Sequence, residues 1–398
     1  MQLPLESCPR TSLPQHHVDL FRKKPTRDIT LADGTAAIAV TRQCDVRTVL
    51  SDNRFSRAQF HVPSVAGADL PLALVTSDPP THTRRRQAVQ GWFTKRRAEQ
   101  ARPLIGRIAD QLLDDLVAAG PPADIYAQFC HPFPTLVHMI LLGLDTADLP
   151  FLLPRMTAAW SAGHDHDHDH EVAKAGVELR EYLESQVIRS RHAGTSGGLI
   201  DVLAQEDSAS SLTDTEIVML SVGLLMAGAE TTGNHLALGL IEVLERPGLA
   251  NALRHSPGKI PSTVEELLRW VWFDGRSGGA TGQEHVAIAD VKLHDRLISK
   301  GEVVVPMLDI ANRDPAVFPD ADEFCPHRNP NPHLGFGHGR HRCIGAPFAR
   351  VQLQVGLQVI LSRLDGIALV PDSVINWRRT IFTRGVWNLP VTWRGSGQ

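Results

Sequence analysis

The spacing of apolar residues predicts a chain built mainly of helices. From residue 103 to residue 119, apolar side chains recur three and four positions apart before Gly120, which is typical of an amphipathic helix that ends at a glycine. The same spacing predicts five further helices, over residues 133–142, 172–191, 199–205, 264–272 and 346–364.

The longest predicted helix ends at Glu245 and starts at a capping box, for which Thr213 and Glu216 have the required spacing. Because residues 217–229 are apolar around the whole circumference, this helix is expected to lie buried in a large core. Glu230, in the next turn, would interrupt a membrane span. The pattern therefore favours a central helix that carries buried polar residues.

Period-two alternation over residues 28–40, broken at the turn dipeptide Asp33-Gly34, predicts a β-hairpin. Further β-prone segments occur at residues 286–291, 303–305 and 387–393. The predicted class is thus mainly α with minor β. Since no Gly/Ser-rich linker or charge run divides the chain, we expect a single domain over residues 1–398.

Composition narrows the class of protein without identifying it. The 398 residues are 42% hydrophobic and 21% charged, which excludes collagen, coiled coil and wholesale disorder. Forty Lys and Arg against forty-four Asp and Glu give a net charge of -4, so the protein has no overall positive charge that would attract nucleic acid. The first thirty residues hold no apolar stretch of signal-peptide or anchor length. These features predict a soluble, cytoplasmic protein that contacts neither nucleic acid nor membrane.

One cysteine differs from the other four. The five cysteines are odd in number and lack CxxC spacing, which excludes a disulfide framework and a zinc knuckle. Cys343, however, sits in the glycine-rich stretch FGHGRHRCIG, residues 336–345, directly before a predicted helix. A helix N-terminus favours the thiolate, and the glycines allow a flat ligand to approach. The residues alone leave open a nucleophile or a metal ligand.

This stretch resembles the haem-binding signature of the cytochrome P450 family at every fixed position. The resemblance implies haem b, with Cys343 as the axial thiolate ligand of the iron and His341 as a ligand of a haem propionate. It also implies the family's fold, a triangular α-rich prism with small β-sheets and a long central helix over the haem. With the further segments below, it covers about residues 20–395.

The segment AGAETT, residues 227–232, resembles the family's oxygen-activation segment. The resemblance implies that Glu230 and Thr231 are catalytic, because a carboxylate and a hydroxyl together relay protons to bound dioxygen. Upstream, DPPTHTRRR, residues 78–86, resembles the helix whose His82 and Arg86 would bind a propionate. Both residues lie on one helical face at i, i+4.

Glu266 and Arg269 resemble the family's buried Glu-x-x-Arg pair, which is structural and is joined by a later arginine, here Arg328. One departure concerns the propionate-binding arginine that family members carry two residues before the Ala-Thr of the following strand. At the Ala-Thr of residues 280–281 this position is Gly278, so the cation is missing. Arg276 is an alternative source of that charge.

The alternation of His and Asp from His164 to His170 is the most biased stretch of the chain. Imidazoles and carboxylates bind zinc or nickel, but a solvated loop offers no fixed tetrahedral geometry, so absent or adventitious metal binding is favoured. The resemblance places this stretch in the lid over the substrate channel.

A basic surface is expected beside the cysteine loop, and an acidic ferredoxin would dock there by electrostatic steering, although a solvated helix face explains the charges nearly as well. Because the chain has no room for a reductase domain, ferredoxin and a ferredoxin reductase are the expected partners of a monomer. The residues of this basic surface are Arg84, Arg85, Lys95, Arg96, Arg97, Arg340 and Arg342.

The resemblance thus implies a haem-thiolate monooxygenase or oxidase of bacterial secondary metabolism. Its substrate would be a small, largely apolar or aromatic natural product, such as a cyclic dipeptide, oxidised by hydroxylation or radical coupling. Two alternatives are a peroxide-driven haem peroxygenase and a non-catalytic haem protein that senses a ligand. Glu230 and Thr231 argue against both, because a sensor needs no proton relay and peroxide-using members typically lack this pair.

Overall fold

A computed structural model describes residues 11–31, 34–60, 74–160, 169–192, 197–205, 212–273, 284–379 and 383–394. Helices dominate these ranges, as the apolar spacing predicts. They comprise α1 Gln15–Lys23, α2 Gln43–Ser51, α3 Thr81–Gln90, α4 Lys95–Ala119, α5 Pro132–Leu142, α6 Leu149–Trp160, α7 Asp169–His192, α8 Leu199–Gln205, α9 Asp214–Glu245, α10 Leu249–His255, α11 Ile260–Trp270, α12 Leu308–Ala311 and α13 Ala346–Arg363.

The strands are short and form small sheets. They are β1 Thr26–Thr30, β2 Ala36–Val40, β3 Phe55–Ser56, β4 Ala123–Asp124, β5 His285–Ala287, β6 Val291–Lys292, β7 Leu297–Ile298, β8 Val303–Pro306, β9 Ala368–Leu369, β10 Trp377–Arg379, β11 Arg384–Val386 and β12 Pro390–Thr392. The largest sheet has the order β1-β2-β8-β5-β3, with only its β2–β8 pair parallel. The predicted class, mainly α with minor β, is confirmed.

Helix α9 is the centre of the molecule. It starts at the predicted capping box and ends at Glu245, and its apolar residues are buried against α5, α7 and α13. The helix is long because neither proline nor a C-capping glycine occurs inside it. In the part of the chain that the structure describes, no helix is both long and apolar enough to cross a bilayer.

Several predicted boundaries were wrong. Helix α11 spans Ile260–Trp270 instead of residues 264–272. Helix α4 begins at Lys95, well before Pro103, because the Thr94 side chain caps it by accepting a hydrogen bond from the Arg97 N–H. Pro103 lies inside the helix, near its N-terminal end. The β-prone segment at residues 286–291 forms parts of two separate strands, β5 and β6, which lie in different sheets.

A buried ion cluster attaches α11 to the segment that leads to the cysteine loop. Arg269 forms two hydrogen bonds with Glu266, at 2.7 and 2.8 Å, and both side chains are fully buried. Arg328 approaches the same carboxylate at 3.2 Å, as the resemblance implies. Arg269 also donates to the backbone carbonyls of Asn312, Ala321 and Glu323. Each buried charge is therefore paired and hydrogen-bonded.

Replacing Glu266 by Gln should destabilise the protein by about 3–5 kcal/mol, because two buried guanidinium groups lose their counter-charge. The matched control is Glu99→Gln, which removes an i, i+3 pair with Arg102 whose acid is 47% exposed. That change should cost less than about 1 kcal/mol. Chemical denaturation of both variants measures the difference, and equal losses would show that the buried cluster is not a major source of stability.

Candidate active site

A cavity of about 320 Å³ lies between α9 and the loop that precedes α13. Ala227, Gly228 and Thr231 of α9 line one part of its wall. Residues 334–338 and 341–345 line another part, which includes Cys343. The oxygen-activation segment and the cysteine loop, more than one hundred residues apart in sequence, therefore share one internal space.

Backbone hydrogen bonds shape the cysteine loop. The Gly337 N–H donates to the Leu334 carbonyl, and the Cys343 N–H donates to the Phe336 carbonyl, both at 2.8 Å. A short 3-10 turn follows at Gly339–His341. Gly339 has φ +69° and lies against the Leu50 carbonyl, where a Cβ atom would come within 2.3 Å of the oxygen. Only glycine satisfies both conditions at this position.

The environment of Cys343 suits a ligand of a metal cation. Burial raises the pKa of the thiol, whereas the backbone N–H groups of Gly345 and Ala346 and the charge of Arg86 act in the opposite direction. The accessible surface of the sulfur faces the cavity that the residue lines. A thiol of raised pKa becomes a thiolate when a metal ion binds, so this sulfur is a better metal ligand than a free nucleophile.

Basic groups collect beside the cysteine loop, where the carboxylate of Asp78 lies 4.0 Å from the His341 Nε2. The rings of His82 and His341 are 4.2 Å apart, and Arg86 reaches the Arg342 carbonyl at 2.8 Å. Within the described residues, the buried Nε2 atoms of His82 and His341 have no hydrogen-bond partner. Burial, aided by the charge of Arg86, lowers the pKa of His82 to about 4. Burial, aided by Arg57, lowers the pKa of His341 to about 2.

Thr231 lines the cavity, and its hydroxyl donates to the Ala227 carbonyl at 2.6 Å. Gly228, in the intervening turn, lies against His138 of α5; a Cβ there would come within 1.9 Å of the imidazole Nε2. The small residues of the AGAETT segment therefore leave room for the neighbouring helix as well as for the cavity.

Glu230 lies outside the cavity wall, although its neighbour Thr231 is part of it. Its buried carboxylate forms an ion pair with Arg378 of β10 and accepts a hydrogen bond from Asn234 at 2.9 Å. His131 approaches the second carboxylate oxygen at 3.6 Å. Asn234 also donates to Thr383, which accepts a hydrogen bond from Trp160 on the cavity wall. A polar chain thus links Glu230 to the cavity.

Sequence reasoning missed Arg378, Arg57 and His285. Arg378 lies in a short strand near the end of the chain, and no motif identifies it. Gly278 and Arg276 lie outside the described residues. The first strand after Glu-x-x-Arg that the structure describes is β5, and the residue two positions before its Ala287 is His285. With Ala287 as the alanine of the motif, His285 occupies the arginine position, so an arginine stands at neither residue 278 nor residue 285.

The comparisons with known proteins agree with this geometry. The family model for cytochrome P450 matches residues 261–370, which include the Glu-x-x-Arg pair and the cysteine loop. Mycinamicin IV hydroxylase/epoxidase of Micromonospora griseorubida is 37% identical over 394 residues, 98% of each chain. Nocardicin C N-oxygenase of Nocardia uniformis subsp. tsuyamanensis is 36% identical over 95% of this chain and 94% of its own. The chain belongs to the cytochrome P450 family.

The fold is also that of a P450. A solved structure of the mixed-function P450 MycG superimposes with a TM-score of 0.89 at 37% identity, covering 99% of this chain and 100% of that one. The P450 family implies a haem whose iron is bound by a cysteine. The residues present fit such a group, because Cys343 and His341 line one cavity and the buried Nε2 atoms of His341 and of the adjacent His82 have no hydrogen-bond partner among the described residues.

The predicted basic surface is only partly free to meet a partner. Arg84 and Arg85 both bind Glu216 at the start of α9, and Arg340 donates to Asn53 and to the Phe55 carbonyl. Lys95, Arg96, Arg97 and Arg342 are exposed.

The His-Asp stretch falls mostly outside the described residues; of it, only Asp169 and His170, at the start of α7, are described. Within the described part of the chain, no group of three or more His, Cys, Asp or Glu side chains is placed to hold a metal ion.

Two glycine substitutions separate backbone strain from crowding in the cysteine loop. Gly337 and Gly339 have nearly equal φ values, +66° and +69°, but only Gly339 has the Leu50 carbonyl where a Cβ would be. Gly337→Ala should cost about 1–2 kcal/mol for the left-handed backbone. Gly339→Ala should cost about 1–3 kcal/mol more, because the added methyl overpacks the site. Denaturation of the two variants tests this, and equal losses would contradict the close approach.

Proposed function

We propose that this P450 is a haem-thiolate monooxygenase or oxidase of secondary metabolism that acts on a small, largely apolar or aromatic natural product. The observation that carries the proposal is that Cys343 and Thr231 line one cavity beside a cluster of basic groups in which two buried imidazole nitrogens have no hydrogen-bond partner among the described residues. The cofactor of the proposal is haem b, with Cys343 as the axial ligand and His82, Arg86 and His341 as propionate ligands.

When bound in this cavity, haem b would supply the chemistry of dioxygen activation. The N–H groups of Gly345 and Ala346 would stabilise the Cys343 thiolate by hydrogen bonds and by the dipole of α13. The two imidazole Nε2 atoms and the Arg86 guanidinium would donate to carboxylates at the edge of the cofactor. Each imidazole would thereby gain the hydrogen-bond partner that it lacks. The negative charge of a propionate would also raise the pKa of the two histidines toward the ordinary value.

Thr231 would hold a proton at its Oγ atom on the cavity wall. In the structure this proton points to the Ala227 carbonyl, so donation into the cavity requires the hydroxyl to turn away from that carbonyl. Glu230 would resupply the proton through water, while the Asn234 amide, which donates to both Glu230 and Thr383, would help to hold the carboxylate. The ion pair with Arg378 keeps the Glu230 carboxylate in place, and the carboxylate must loosen from Arg378 to take up a proton.

The described wall of the cavity is rich in apolar side chains, which suits an apolar or aromatic substrate. Leu74, Val75, Trp160, Met219, Leu224 and Phe273 are among them. Most of residues 58–75, all but the first two of residues 272–279, and residues 381–382 lie outside the described residues. The relatives are named as a hydroxylase/epoxidase and an N-oxygenase, so related chains carry out different oxidations.

The proposal includes ferredoxin and ferredoxin reductase as partners of a cytoplasmic monomer. The exposed group Lys95, Arg96, Arg97 and Arg342 is the part of the basic surface on which an acidic ferredoxin would dock. Arg342 is adjacent in sequence to Cys343, which places this surface beside the proposed thiolate ligand.

The axial ligand can be tested by the absorption spectrum of the ferrous protein with carbon monoxide. The wild-type protein should show the Soret band of a thiolate-ligated haem, and Cys343→Ala should abolish it because the sulfur is the ligand. Cys44→Ala, which changes an exposed thiol, should leave the band unchanged. A band of histidine-ligated haem in the undenatured wild-type protein would refute the assignment.

The proton relay can be tested by product formed per NADPH oxidised in a ferredoxin system. Thr231→Ala should still bind haem and substrate but divert electrons to peroxide, lowering product up to about a hundredfold. The control is Ser221→Ala, which loses an equivalent i−4 hydrogen bond in α9 away from the cavity. Unchanged product in Thr231→Ala, or turnover with peroxide alone, would contradict the proposed role of Thr231.

A further inference from the structure

Arg57 is a buried cation on the wall of the cavity. It directly follows β3, is 6% exposed, and lines the same space as Arg86, His341 and Cys343. A guanidinium in such a place is costly unless an anion and hydrogen-bond acceptors surround it. Its surroundings therefore show what it is placed to bind.

Hydrogen bonds fix the inner part of the Arg57 side chain and leave its outer part unbonded. Its Nε donates to the His285 Nε2 at 3.4 Å, and its backbone N–H donates to Asp78 at 3.3 Å. Within the described residues, Nη1 and Nη2 form no hydrogen bond. The charges of Glu284 and Asp78 favour the cation, although burial lowers the pKa of Arg57 to about 10.

Arg57 lines the same cavity as Arg86 and His341 of the basic cluster beside the cysteine loop, and its charge acts on that cluster. Among the charged groups that lower the pKa of His341, Arg57 has the largest effect, and it also lowers the pKa of His82. The neighbouring Arg340 is different, because its terminal nitrogens already donate to Asn53 and to the Phe55 carbonyl. Like Arg86, which uses one terminal nitrogen on the Arg342 carbonyl, Arg57 thus has terminal donors beside these imidazoles that form no hydrogen bond among the described residues.

We propose that Arg57, positioned by His285, binds a haem propionate and supplies the cation that is missing at Gly278. The inference rests on the proposed function, because it assumes a haem in the cavity. His285 is the positioning residue: its ring accepts a hydrogen bond from Nε and leaves the two terminal nitrogens of Arg57 available to a carboxylate. Parallel donation from Nη1 and Nη2 to one carboxylate is the strongest geometry available to a guanidinium.

Haem retention tests the proposal in the holoprotein. The rate of haem transfer to excess apomyoglobin should rise roughly tenfold to a hundredfold in Arg57→Gln, because a buried charge-assisted hydrogen bond is lost. Arg57→Lys should restore part of the retention, and His285→Phe should give an intermediate rate. The matched control is Arg54→Gln, in the same segment, whose side chain is half exposed and pairs with Asp52.

A structural role for Arg57 is distinguished by blocking the carboxylates. When the holoproteins carry haem dimethyl ester, wild type and Arg57→Gln should lose the cofactor at equal rates, because no carboxylate is left to bind. Faster loss from Arg57→Gln with the ester as well would show that Arg57 merely supports the fold and would overturn the proposal. The proposal would also be overturned if Arg57→Gln lost haem at the wild-type rate while Arg276→Gln lost it faster. Failure of the proposed function has a different result, namely no thiolate-ligated haem in any of these proteins.

Discussion

The position of the cysteine loop depends on the buried interaction between Glu266 and Arg269. Arg269 uses its remaining donors on three backbone carbonyls, including that of Asn312, and so fixes the irregular segment after α12 to α11. The Asn312 side chain then accepts a hydrogen bond from the Leu334 N–H at 2.7 Å, where the cysteine loop begins. A short chain of hydrogen bonds therefore connects the ion pair of α11 to the start of the cysteine loop.

Much of this arrangement could be predicted from the sequence, because the signals are local. Helix α9 has a capping box and a continuous apolar surface, and both of its ends lie where the sequence indicates. The cysteine loop has fixed glycine positions, of which Gly339 has a backbone conformation and a contact that only glycine allows. The Glu266–Arg269 pair has helical spacing, and the resemblance supplied the third member, Arg328.

The other features of the site depend on contacts between segments that are distant in sequence, and such contacts leave no local signal in the sequence. Glu230 lies next to Thr231 on α9, yet its carboxylate pairs with Arg378 of β10 and does not line the cavity. Arg84 was expected on a docking surface, but the acid of the capping box, Glu216, binds it. His285 was missed because the sequence also has the Ala-Thr pair of residues 280–281, which precedes strand β5.

The central claim is that Cys343 binds the iron of a haem in the cavity below α9. Iron K-edge X-ray absorption of the ferric holoprotein tests it most directly, because the first coordination shell is resolved by element. The account predicts one sulfur scatterer beside the four porphyrin nitrogens, lost in Cys343→Ala. A first shell of nitrogen and oxygen alone in the wild-type protein would contradict it.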